Sequence, residues 1–81
     1  MQRLRILAGR EVLKILREFG FLEFSRRGSH VKIRRILAAG EIQTLTVPDH
    51  SEIDRGTLHA IFRQACRFIP QSEIRVRFFT D

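Results

Sequence analysis

A helical pattern of hydrophobic positions occupies residues 10–19, "REVLKILREF". Apolar side chains recur there at helical spacing and basic side chains fall on the opposite side, which predicts an amphipathic helix. Gly20 follows at the place where a left-handed residue usually closes a helix, so we expect the helix to end there.

After this helix, the pattern changes to an alternation of apolar and polar residues, which predicts strands. The three stretches concerned are "FLEFSRR" (21–27), "SHVKIRR" (29–35) and "IQTLTVP" (42–48). Gly28 lies between the first two and is expected to form a tight link. The three strands should therefore form an antiparallel meander.

The middle strand separates two kinds of side chain. Val31 and Ile33 share one side of it, while His30, Lys32 and Arg34 share the other. Because a half-buried strand hides its apolar side, we expect the imidazole and the two cations to face water. They would form a row with steps of about 6.5 to 7 Å.

Helical spacing returns in "TLHAIFRQACRFI", residues 57–69. Asp54 precedes this second helix at a position where an anion stabilises the helix N-terminus, and Thr57 is a candidate cap or first-turn residue. The stretch after Pro70 fits either a short helix or a strand, and a proline in a first turn favours the helix.

The order of elements, α-β-β-β-α with a possible short final element, indicates an α+β fold in a single domain over residues 1–81. We expect a three-stranded antiparallel sheet with the helices packed on one face and the other face open. Hydrophobic residues make up 43% of the chain and charged residues 30%, which is typical of a folded globular protein and not of a disordered basic tail.

Positive charge is concentrated in the first half of the chain. The formal net charge is +6; residues 1–40 carry ten Lys/Arg and three Asp/Glu, whereas residues 41–81 carry five and six. A polyanion would dock on the basic half. The single cysteine excludes an internal disulfide, no zinc-site spacing occurs, and no metal or other cofactor is expected. No apolar run reaches the roughly 18 residues that a membrane span needs, so the expected location is the cytoplasm.

Four motifs, in this order and at compatible spacing, resemble the HicA (YcfA-like) toxins of bacterial toxin–antitoxin pairs. They are "GREVLKILREFGF", "RRGSH", "TVPDH" and "RGTLHAIFRQA", and they cover roughly residues 9–66. The resemblance implies a small fold like the double-stranded-RNA-binding domain (dsRBD), an mRNA-cleaving activity, and silencing by a HicB-like antitoxin. It also implies that His30 is the catalytic histidine. Members often carry a second histidine directly after this one, where the present chain has Val31.

The chemistry expected at His30 is proton transfer on RNA. A histidine titrates near neutral pH, so it can take a proton from a 2′-hydroxyl or give one to the departing 5′-oxygen. Lys32 or Arg34 on the same strand face would stabilise the extra negative charge on the phosphoryl oxygens. Because the RNA supplies its own nucleophile, this reaction requires no metal and should leave DNA intact.

The residues that bind RNA are expected around the same turn and strand. Ser29 either holds a phosphate or, as its inward position favours, makes a hydrogen bond within the loop. The candidate substrate-binding residues are Arg26, Arg27, Gly28, Ser29, Lys32 and Arg34, with Arg35 as a further phosphate ligand.

Two other functions remain open at this point. A non-catalytic, dsRBD-like nucleic-acid-binding module would use the basic patch without needing the imidazole. A metal nuclease would use Asp49, His50, Glu52 and Asp54, since carboxylates and imidazoles hold divalent ions. However, acidic residues before a helix usually satisfy its amide groups, and His50 is then expected to anchor the loop.

Overall fold

The structure is a computed structural model, and it describes residues 2–80. The described chain forms an α+β fold in which a three-stranded sheet is covered by helices, as the sequence predicts. The elements are β1 (Arg3–Leu4), α1 (Gly9–Glu18), β2 (Leu22–Arg27), β3 (His30–Ile36), β4 (Ile42–Pro48), α2 (Arg55–Ala65), α3 (Gln71–Phe78) and β5 (Phe79–Thr80).

The central sheet is an antiparallel meander in the order β2-β3-β4, which confirms the prediction. Gly28 and Ser29 form the turn between β2 and β3, and Arg27 pairs with His30 across it. Gly28 has φ 58° while no residue other than glycine has a positive φ in residues 2–80. This pattern fits a type II′ turn, which favours glycine at its first central position.

One face of the sheet is buried under the helices. Val31 and Ile33 of β3 are 0% and 1% exposed, and Leu45 and Val47 of β4 lie on the same inner face. Both α1 and α2 contact β4. The inward side chains of these helices complete the core, chiefly Val12, Ile15, Leu16, Leu58, Ile61 and Phe62.

A β-bulge in β2 decides which of its side chains lie on which face. Glu23 pairs with Ile33 and Ser25 with Lys32, so that Phe24 is the extra residue. A bulge shifts the alternation of a strand by one residue. As a result, Leu22 pairs with Arg34 on the outer face and Glu23 pairs with the inward-facing Ile33, whereas Arg27 shares the outer face with His30 because the two pair directly across the turn.

The N-terminus of α1 packs tightly on the end of β4. The amide of Gly9 donates to the His50 carbonyl oxygen at 2.8 Å. A Cβ atom at Gly9 would lie 2.4 Å from the Pro48 carbonyl oxygen and 2.5 Å from Asp49 Cα, so only glycine fits this approach. The helix thereby holds the chain just after β4 in place.

The helix ends follow the sequence in most respects. Gly20, just after α1, has φ 96°, as expected for a closing glycine. Asp54 caps α2 by accepting from the Thr57 amide at 3.0 Å and from Thr57 Oγ1 at 2.7 Å. These bonds from Thr57 lower the pKa of Asp54, so its carboxylate is ionised at neutral pH.

The C-terminal segment is the helix α3, which confirms the helical alternative for the residues after Pro70. Ile74 and Phe78 of this helix are fully buried. The short strand β5 then pairs antiparallel with β1, a contact that the sequence pattern did not reveal. None of the helices within residues 2–80 is long and apolar enough to cross a membrane.

Candidate functional site

The outer face of the sheet carries a row of basic side chains, as the alternation in β3 predicts. His30 and Lys32 are exposed and Arg34 is half-buried, while the residues between them are buried. Arg27 lies directly opposite His30 on β2, and directly opposed residues share a face. We refer to Arg27, His30, Lys32 and Arg34 as the basic row.

The cations of the basic row are free to bind an anion. Within the part of the chain that the structure describes, the ion pairs join Arg26 to Glu23 and Asp49, and Arg77 to Glu18; none involves the row. The guanidinium carbon of Arg34 lies 4.6 Å from the centroid of the partly exposed Phe24 ring. The row therefore offers positive charge with an aromatic ring beside it.

Arg26 lies apart from this row. It pairs with the inward-facing Val31, and its guanidinium Nη1 lies 2.9 Å from Asp49 Oδ2 while Nε lies 3.4 Å from Glu23 Oε2. The hydrogen bond to Asp49 is the main cause that raises the pKa of Arg26. The contacts of Arg26 thus hold the loop after β4.

Arg35 also lies away from the basic row, and it has a structural role. Its guanidinium donates to the carbonyl oxygens of Phe19 at 3.0 Å and Phe68 at 2.6 Å, and to Gln43 Oε1 at 2.6 Å. These bonds join the end of α1 to the segment after α2. Three of the five guanidinium N–H groups of Arg35 thus have internal partners, and phosphate binding by this half-buried side chain stays a prediction.

The turn residue Ser29 makes the loop contacts that its inward position suggests. Its carbonyl oxygen accepts from the Asp49 amide at 2.6 Å, and its Oγ lies 3.2 Å from His50 Nε2. The His50 ring is exposed. The turn before β3 and the loop after β4 are thus joined side by side, which brings His50 to the His30 end of the sheet.

A cavity of about 420 Å³ lies between this end of the sheet and α2, and both His30 and His50 line it. From the sequence, His50 of the motif "TVPDH" is expected to anchor the loop, with a metal-binding role as the alternative, and no proton-transfer role is predicted for it. Its position near His30 depends on contacts between residues 21 apart in the chain, which no local pattern shows. The other lining residues are Thr46, Pro48, Asp54, Thr57, Ala60, Ile61 and Gln64.

Other reactive side chains fit this site less well. Within residues 2–80, no group of three or more His, Cys, Asp or Glu side chains is arranged to hold a metal ion. The Cys66 thiol packs against the core, and desolvation raises its pKa, so it is a poor nucleophile. His59 is exposed on α2 and lies 2.9 Å from an Arg63 nitrogen.

Comparison with known proteins identifies the family. A sequence profile described as "HicA toxin of bacterial toxin-antitoxin" matches residues 9–65, a span that runs from α1 through the basic row to the end of α2. No curated protein and no solved structure matches the chain. Since the profile covers more than half of the 81 residues, the chain belongs to the HicA toxins of bacterial toxin–antitoxin systems.

Proposed function

We propose that this toxin is an endoribonuclease that cleaves messenger RNA, with His30 as a catalytic proton-transfer group. The observation that carries the proposal is the exposed imidazole of His30, which has Arg27 opposite it and Lys32 beside it on the outer face. An exposed imidazole can exchange protons with a substrate, and the adjacent cations attract the phosphate that the substrate brings.

The proposed reaction uses the 2′-hydroxyl of the RNA as nucleophile. His30 takes part in the proton transfer that lets the 2′-oxygen attack the adjacent phosphorus. Lys32 and Arg34 then bind the phosphoryl oxygens, where negative charge increases in the transition state. Arg27, Gly28 and Ser29 form the turn that adjoins the attacked phosphate, and Arg26 supports this turn from the other face of the sheet.

Chemically modified RNA tests the reaction class. A labelled RNA should be cut in the presence of EDTA and should yield a 2′,3′-cyclic phosphate and a 5′-hydroxyl end. A matched RNA with one 2′-deoxy nucleotide at the cleavage position should bind equally well and remain intact there. Cleavage at the deoxy position, or loss of cleavage in EDTA, would contradict the proposal, because a water nucleophile or a metal ion would then be required.

A non-catalytic nucleic-acid-binding module is the second candidate, since the basic row also suits binding alone. It predicts that the RNA is retained but never cut. The presence of an exposed imidazole in the row favours catalysis, because binding by charge alone has no need of a proton-transfer group.

Membership of the family implies an antitoxin partner, and we propose a HicB-like protein with an acidic surface that covers the outer face. The charge of +6 and the free cations of the row would speed its association by electrostatic attraction. Apolar side chains at the other end of the sheet add contact area, since Leu22, Ile36 and Ile42 are 59%, 61% and 54% exposed.

A further inference from the structure

The cavity beside the basic row contains two imidazoles. His30 reaches it from the start of β3, and His50 reaches it from the loop after β4. Cleavage by a 2′-hydroxyl needs one group that takes a proton and one that gives a proton. A single histidine on the outer face leaves the second group unassigned.

Several independent contacts hold His50 in position. Its carbonyl oxygen accepts from the Gly9 amide, and its ring nitrogen Nε2 lies 3.2 Å from Ser29 Oγ. The preceding residue, Asp49, is bound by the Ser29 carbonyl and by Arg26. These contacts hold the backbone of His50 and place its ring next to the turn that precedes His30.

The size and lining of the cavity suit one nucleotide of a single-stranded RNA. Its volume of about 420 Å³ falls within the usual range for small-ligand sites. Thr46, Thr57 and Gln64 supply hydrogen-bonding groups, and Ala60 and Ile61 supply apolar contact. Proteins recognise single-stranded RNA by such hydrogen bonds and apolar contacts to its unstacked bases.

We infer that His50 is a second catalytic residue, which protonates the departing 5′-oxygen while His30 accepts the proton of the 2′-hydroxyl. This inference rests on the proposed ribonuclease function. The 2′-oxygen forms a bond to phosphorus, the bond from phosphorus to the 5′-oxygen breaks, and that oxygen receives the proton from His50. The products are a 2′,3′-cyclic phosphate and a 5′-hydroxyl, and proton exchange with water then restores both rings.

The two rings have different charged neighbours. Arg27 lies opposite His30 and Lys32 lies two residues along the same strand face, so these cations would hold the attacked phosphate beside the His30 ring. His50 belongs to a connection that also contains Asp49 and Asp54, and the ionised Asp54 lines the same cavity. The cations thus lie at His30, where the 2′-oxygen attacks the phosphate, and not at His50, which is left for the departing 5′-oxygen; the carboxylate of Asp49 is paired with Arg26.

An RNA with a sulfur atom in place of the 5′-oxygen at the mapped cleavage site tests this assignment. A thiolate leaves readily without protonation, so this substrate bypasses the need for an acid. His50→Gln should cut ordinary RNA about 10²- to 10⁴-fold more slowly than the unaltered toxin and should cut the sulfur substrate within about tenfold of it. His30→Gln should be slow on both, and His59→Gln, on the exposed side of α2, should be normal on both.

The outcomes separate this inference from the function on which it rests. If the unaltered toxin cuts no RNA, the ribonuclease proposal fails. If it cuts RNA and His50→Gln cuts ordinary RNA at the same rate, or is equally slow on both substrates, the inference about His50 alone is overturned. If His30→Gln cut the sulfur substrate at nearly the rate of the unaltered toxin, the assignment of His30 as base and His50 as acid would be overturned. Melting temperature and RNA affinity confirm that each variant is folded.

Discussion

At the scale of single residues, the site depends on glycines that allow close approach. Gly28 adopts the positive φ that turns β2 into β3 just before His30. Gly9 allows the N-terminus of α1 to pack on the backbone of Pro48 and Asp49, next to His50. Gly28 and Gly9 thus set the backbone positions next to His30 and His50.

Replacing Gly9 by alanine tests this positioning. Alanine favours a helix by about 1 kcal/mol relative to glycine, but the new Cβ would lie 2.4 Å from the backbone oxygen of Pro48, which cannot yield as a side chain can. We expect the clash to outweigh the helix propensity, with a net loss of about 1–3 kcal/mol in the free energy of unfolding. Urea denaturation measures this loss.

Gly56→Ala is the matched control, because Gly56 lies in the first turn of α2 and its added Cβ would meet only Asp54 Oδ2, at 3.5 Å. The Gly56→Ala replacement should leave the free energy of unfolding unchanged or raise it. Equal stability of the Gly9 and Gly56 variants would contradict the tight packing of α1 on the end of β4.

At the scale of elements, the sequence predicted which side chains of β3 face the core and which face outward, but it predicted this only in part for β2. The alternation in β3 predicted that Val31 and Ile33 face the core and that His30 and Lys32 face outward, because a buried face requires that period. The bulge at Phe24 depends on pairing with β3 and leaves no clear local signal, so the placement of Leu22 on the outer face and of Glu23 opposite the inward-facing Ile33 could not be foreseen.

The basic row predicts a measurable salt dependence of RNA binding. If Arg27, Lys32 and Arg34 each neutralise one phosphate of a single strand, log affinity should fall against log salt with a slope of about 2, so fourfold more salt weakens binding about twentyfold. Lys32→Gln should reduce the slope by about 0.7.

The control for this titration is Lys14→Gln, since Lys14 is exposed on α1 and away from the sheet. Its slope should match that of the unaltered toxin. Identical slopes for Lys32→Gln and the unaltered toxin would exclude the basic row as the phosphate-binding surface.

At the scale of the whole molecule, the fold places the core on one face of the sheet and the basic row on the other. The sequence predicted this division, the helical choice after Pro70 and the family, because each follows from local periodicity or contiguous motifs. The pairing of β1 with β5 is only two residues long and has no period to detect. The shared cavity of His30 and His50 likewise arises only when the start of β3 pairs with the end of β4.

Because the basic row and the core lie on opposite faces of the sheet, an antitoxin could bind the row without contacting the core. A partner that covers the outer face shields His30 and the cations at once, and it need not disturb the core. The salt titration repeated with the antitoxin in place of RNA tests this docking: the association rate should fall as salt rises, and a rate independent of salt would contradict it.

The most direct measurement of the central claim compares RNA cleavage and RNA binding by the unaltered toxin and by His30→Gln, with His59→Gln as a matched surface control. We expect His30→Gln to lose cleavage by at least about 10²-fold, since proton transfer is removed, and to keep its affinity for RNA because the cations remain. Cleavage by His30→Gln at the rate of the unaltered toxin would contradict the assignment of His30 as the catalytic group.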